Sequence, residues 1–191
     1  TKIMTKETYP VKDKINREDI LKKLQGGDRR SVGRVDEVVN DVLRNPILFD
    51  KLFSLIFYDD DVVRMRVADA VEKITLKNPE YLTSYKKEII EKVSRINQQE
   101  VRWHVAQLFP RLDLNTRERG KVFYILNGFM EDKSKIVKTF SMQALADISE
   151  NDKKLRTKVI TLIEDMVKEG SPAMKSRGRT LLEKLNKIDS T

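Results

Sequence analysis

Apolar residues recur along this chain at i, i+4, i+8 and i+11, so that Val63, Val67, Val71 and Ile74 share one stripe of a helix. Val101, Val105, Phe109 and Leu112 repeat that stripe further on. The intervening segments carry stripes of their own: Leu48, Leu52, Leu55 and Ile56; Leu82, Tyr85, Ile89 and Val93; Val122, Ile125, Leu126 and Phe129; Leu155, Val159, Leu162 and Met166. No segment reads convincingly as a strand, and the pattern predicts an all-α chain.

Punctuation divides the helices. Asn45-Pro46, Asn78-Pro79 and Ser171-Pro172 each set a capping residue before a proline, whose missing N–H costs nothing at the first helical position. Asn97 to Glu100 and Asn115 to Glu118 read as capping boxes. Gly26-Gly27 is expected to end one helix just before Asp28 starts the next. These marks predict a polar arm at 1–14 and one domain over 15–191, made of helix pairs at 15–45, 46–77, 78–114, 115–150 and 151–188. The first pair is expected at 16–25 and 29–44; the later second helices are expected to start near Val62, Glu100, Lys135 and Ala173.

Those second helices align. Val63, Val101, Val137 and Met174 open them at intervals of 38, 36 and 37 residues, and Val32 opens a weaker copy 31 residues before Val63. A fixed period of this size marks a repeat array. One pair cannot cover both of its stripes, whereas stacked pairs form a continuous core with more polar ends.

The segment Asp132, Lys133, Ser134, Lys135, Ile136, Val137, Lys138, continuing to Ala144, Leu145 and Ile148, resembles the second helix of the HEAT-repeat family. Arg64 and Arg102 follow Val63 and Val101 in the same way, and the resemblance covers residues 46 to 188. It implies an α-solenoid, a right-handed superhelix of about five antiparallel helix pairs. The period is shorter than the roughly 40 to 47 residues of HEAT and armadillo units, and Pro110 interrupts the third pair, so the chain is HEAT-like.

Composition narrows the function. Hydrophobic residues are 39% and charged residues 36%, which leaves one apolar face per helix. There is no cysteine and a single histidine, His104, which excludes disulfides, thiolate chemistry and any site needing two imidazoles. The charge-rich, cysteine-free composition is that of heat-adapted organisms, placing the resemblance on an archaeal or thermophile type. Residues 1–14 lack the apolar run of a signal peptide and no stretch has the length of a membrane span, so a cytoplasmic location and no membrane partner are expected. The 38 basic against 30 acidic residues give +8, an excess that favours acidic partners, nucleic acid included.

Two polar columns run along the second helices. For Arg64, Arg102, Lys138 and Lys175 the resemblance implies a structural ladder, each pairing with the acidic residue of a repeat. Arg34, Arg66, His104, Phe140 and Arg177 lie about 200° from the buried valines. The resemblance puts them on the concave wall, where with Trp103 they form a candidate groove for a protein or acidic peptide segment, or for a phosphate backbone. A solvated charge row, with Trp103 filling a seam, is the alternative.

Catalytic readings fare worse. Asp59, Asp60 and Asp61 suit the positive end of a helix dipole better than a calcium loop, and the segment from Gly26 to Ser31 lacks the pattern of a phosphate loop. A DNA-alkylation-repair glycosylase, also HEAT-like, would need an aromatic and a carboxylate such as Trp103 and Asp113, whose surroundings match no motif of that family. The sequence therefore predicts a non-catalytic scaffold without metal or cofactor, binding protein through its concave face, with nucleic-acid binding as the alternative.

Overall fold

The computed structural model describes residues 15–190; the expected arm at 1–14 lies outside them. Among the described residues ten α-helices run α1 (Arg17–Leu24), α2 (Val35–Arg44), α3 (Leu48–Phe53), α4 (Asp61–Lys77), α5 (Lys86–Glu91), α6 (Gln99–Leu108), α7 (Thr116–Phe129), α8 (Lys135–Ser149), α9 (Lys153–Glu169) and α10 (Pro172–Asp189). Four short 3-10 segments join them and no strand occurs among the described residues, so the all-α solenoid stands. None of the described helices is long and apolar enough to cross a membrane.

The even-numbered helices form a continuous layer in which α2, α4, α6, α8 and α10 pack side by side. Elements of the odd-numbered layer touch one another far less, apart from α1 and α3. A stack whose units are close on one side and splayed on the other curves toward the close side, which makes the even-numbered layer the inner wall. The valine stripes face between the layers: Val63, Val67, Val71 and Ile74 are sealed from solvent, as are Val101, Val105 and Phe109. The outer stripes meet them, and one apolar core runs from Ile20 to Leu185. Each repeat covers its neighbour, the arrangement that makes solenoid stability a sum of nearest-neighbour contacts.

Caps explain which boundaries hold. Asn115 Oδ1 accepts from Glu118 N at 2.9 Å while Glu118 Oε2 accepts from Asn115 N at 2.9 Å, so the predicted box starts α7. Asn16 and Asp19 form an equivalent box at α1. Ser171 caps α10, with Pro172 at its first position.

Four expectations need correction. Asn97 to Glu100 is no capping box: Gln98 precedes α6 and its amide serves Arg64 and the Asp61 carbonyl instead. Asn45 and Asn78 close α2 and α4, and neither side chain caps the next helical segment. The first helix of the third pair begins as a 3-10 segment, Pro79–Tyr85, before α5 forms. Asp28 starts no helix either, because residues 25–34 make a loop held open by left-handed glycines at Gly26 (φ 80°), Gly27 (φ 74°) and Gly33 (φ 57°).

Candidate functional site

Arg66 projects from α4 toward that loop, and the reason for the loop's shape lies in its guanidinium. Nη1 donates to the carbonyls of Leu24 at 2.8 Å and Gly26 at 2.6 Å. Nη2 donates to the carbonyls of Asp28 at 3.3 Å and Ser31 at 3.0 Å, and Nε reaches Ser31 at 3.1 Å. The five donors of a planar fork are thereby spent on backbone oxygens that a loop otherwise leaves to water. Arg66 is 1% exposed, so its expected place on a binding surface is corrected: it holds the loop together.

The rest of the expected surface column is divided. Arg34 is exposed and makes a two-pronged bond to Glu37, 2.8 and 2.7 Å, at the start of α2. Arg177, exposed on α10, donates to Gln143 Oε1 at 2.8 Å. Phe140 is half-buried against the core and lines a crevice with Gln107 and Arg111. Only Trp103 and His104 lie together, their rings 5.6 Å apart.

The ladder is broken likewise. Arg102 Nη1 reaches Asp132 Oδ2 of the next unit at 2.6 Å, as expected. Arg64, however, takes Gln98 Oε1 at 2.9 Å and the Tyr58 carbonyl at 2.8 Å, neither of them an acid. Lys138 and Lys175 make no ion pair among the described residues; Lys138 acts on Asp132 only through its longer-range charge. Units are tied instead by ion pairs scattered over other positions, among them Lys73 to Asp36 at 3.1 Å, Lys86 to Glu118 at 2.9 Å and Arg119 to Asp152 at 3.3 Å.

Trp103 and His104 line a cavity of about 340 Å³ between α4, α6 and the Arg66-held loop. Its floor and rim come from Met65, Asp69 and Lys73 of α4, Glu100 of α6, and Arg29 and Val32 of the loop. Two buried polar atoms there have no hydrogen-bond partner, Glu100 Oε2 and His104 Nδ1, while Asp69 Oδ2 lies 3.1 Å from the Lys73 ammonium. Buried polar groups are rarely left so, because each forfeits its hydration without replacement. Burial also holds the His104 pKa below its ordinary value of 6.5, against the pull of Asp69 and Glu72, so the ring is neutral at pH 7.

Asp69 and Glu100 are site residues that the sequence reading misses. Their spacing does carry a signal: Glu100, Trp103 and His104 stand at i, i+3 and i+4, and Met65, Asp69 and Lys73 at i, i+4 and i+8, so each set shares a helix face. The glycosylase pair does not form, since Asp113 is exposed beside Leu112 and Leu114 and lines other crevices than the one holding Trp103. Of the aspartates at the start of α4, Asp60 caps it, accepting from Val62 N at 2.8 Å and Val63 N at 3.3 Å, and Asp61 pairs with Arg29.

The model of the HEAT repeat domain family matches residues 18–185 of the chain. No curated protein matches it.

Proposed function

The chain belongs to the HEAT repeat domain family, and from that premise we propose that it is a non-catalytic scaffold whose inner wall of even-numbered helices holds a protein partner. The observation that carries the proposal is the α4–α6 cavity, where the indole of Trp103 stands with Met65 and Val32 among charged side chains of two neighbouring units. An aromatic side chain set in such a recess is where binding energy between proteins concentrates. Arg34 and Arg177 mark the exposed ends of the same wall, and Phe140 lies between Trp103 and Arg177 in the repeat order.

Affinity capture from cells of the source organism tests the wall. The variant Trp103→Ala, Arg34→Ala, Arg177→Ala leaves the Arg66 contacts in place, so loss of partners reports the surface and not the fold. Equal recovery of the same proteins by wild type and variant would sink the reading. One observation favours nucleic acid as a second reading: Lys138 and Lys175 on the inner helices are unpaired with any described carboxylate, alongside the +8 formal charge. Anisotropy titrations with single- and double-stranded DNA and RNA decide it, because binding through phosphates falls steeply as salt rises.

A further inference from the structure

We propose that a groove on the outer wall, between the third and fourth units, takes a short acidic peptide segment of a partner protein and seats one of its apolar side chains. This surface is separate from the inner wall, and the inference does not rest on the reading given for that wall. The groove has a volume of about 640 Å³ and lies between α7 and α5 with the turn Val93–Arg95 that follows α5. Its floor is apolar, made by Ile90, Ile125 and Phe129. Tyr124 stands at its side, 71% exposed. Pockets of roughly 300 to 1,000 Å³ enclose small ligands, so the space suits a few peptide residues and not a folded domain.

The preceding seam of the same wall shows what a closed one looks like. Between the second and third units Phe49 lies 5.4 Å from Tyr81 and 5.5 Å from Tyr85, and Phe53 lies 4.2 Å from Tyr85, so aromatic rings fill the gap. The stretch 86–95 carries no aromatic residue, and the Tyr124 ring meets that of Phe123, its own neighbour, at 5.6 Å. The next seam is therefore left open with a tyrosine at its edge. Gly128 keeps it so: a Cβ built there would meet nothing within 4 Å, which means that the packing of this chain does not demand glycine, yet any side chain at that position would stand in the groove.

Charge selects the occupant. Arg95 is exposed on the rim and makes no hydrogen bond or ion pair among the described residues. Lys121 reaches Glu91 at 3.5 Å, with side-chain exposures of 47% and 41%, so that pair is weak and yields readily to a competing carboxylate. Arg102 is already held by Asp132. The lining thus carries three cations against Glu91, and with Asp132 counted three against two, Arg95 being the surplus. A partner carboxylate gains the guanidinium of Arg95, which can grip it with two parallel bonds, while an apolar neighbour covers Ile90, Ile125 and Phe129. Nucleic acid fits less well, because a strand brings a phosphate at each step to a site with one uncommitted cation and Glu91 on its rim.

The experiment titrates the full chain into a dye-labelled hexapeptide of alternating glutamate and leucine and follows anisotropy. Saturation is expected with Kd on the order of 100 μM, and binding at least about tenfold weaker when glutamine replaces glutamate or serine replaces leucine. Gly128→Leu fills the groove without touching a charge, and Arg95→Gln removes a charge without filling it. Each should weaken binding by about tenfold while circular dichroism stays that of wild type; if one variant misfolds, the other decides. The inner-wall variant Trp103→Ala, Arg34→Ala, Arg177→Ala should bind the peptide as wild type does. No saturation by about 1 mM, equal binding of either control peptide, indifference to the folded groove variants, or loss of binding in the inner-wall variant overturns the proposal. So does a short single-stranded DNA that binds more tightly than the peptide and displaces it, which would make the site one for phosphate. A dimer in sedimentation that Gly128→Leu dissolves also overturns it, since the occupant is then a second copy of this chain. None of these outcomes bears on the inner wall, which stands or falls by capture.

Discussion

A Cβ atom placed on Gly33 would stand 2.9 Å from Cζ of Arg66, so the loop backbone lies directly against the guanidinium it feeds. Gly33 also has φ 57°, a left-handed conformation costly to any residue with a side chain. Gly33→Ala should therefore lose roughly 1 to 3 kcal/mol of stability, read by urea unfolding. Arg66→Lys keeps the charge but lacks the fork, and leaves carbonyls unserved; a loss of about 2 to 4 kcal/mol is expected. If both variants unfold with wild-type midpoints, Arg66 does not hold the loop.

Phe109 is among the largest side chains fully sealed from solvent, in the middle unit of the array. Removing so large a group from a core commonly costs about 3 to 5 kcal/mol. Phe109→Ala should lower the thermal midpoint markedly, with the entire helical circular dichroism signal moving as one transition because the core is continuous. A biphasic melt would show that the units on either side do not share that core.

His104 sets a pH dependence with a definite sign. Its folded pKa lies below the ordinary 6.5 because burial penalises the charged ring. The unfolded chain therefore binds the proton first, and stability that is full above about pH 6.5 declines as pH falls through the folded value. His104→Gln should flatten that decline between neutral and mildly acid pH. Glu118, Asp132 and Asp152, each held below its usual value by cap or ion-pair contacts that outweigh burial, add a further loss at lower pH in both proteins. A wild-type profile as flat as the variant's between pH 7.5 and 5.5 would contradict the account.

Arg102 and Asp132 join the third unit to the fourth, with Arg102 also 5.5 Å from the centre of the Phe129 ring. The pair is largely shielded, with side-chain exposures of 26% and 9%, and ought to exceed an open surface pair. A double-mutant cycle on Arg102→Met and Asp132→Asn should give a coupling of about 1 kcal/mol or more. Additive losses would show that the contact ties nothing.

The sequence discloses what depends on period. Helices, pairing and the valine stripe follow from apolar spacing alone, which is why Val63, Val101 and Phe109 can be placed inside without coordinates. Arg66 is misplaced by the same logic, because angular position on a helix says which way a side chain leaves, not what backbone waits there. The loop over 25–34 is irregular, and no period foretells its carbonyls. The ladder fails for a related reason: Gln98 can serve Arg64 as well as an acid can, so equivalent positions find different partners. Asp69 and Glu100 show their spacing only once two separate helices are known to face each other.

Repeat arrays are commonly regarded as interchangeable bricks, but the brick carrying α4 is bound to its address. Arg66 reaches back 42 residues in sequence to the Leu24 carbonyl, and the equivalent positions in later units hold His104, Phe140 and Arg177, none of which grips a loop. Copied to the middle of the array, this unit would bring a guanidinium into the interior with no ring of carbonyls to receive it. The array can lengthen by duplication elsewhere, but its second unit stays second.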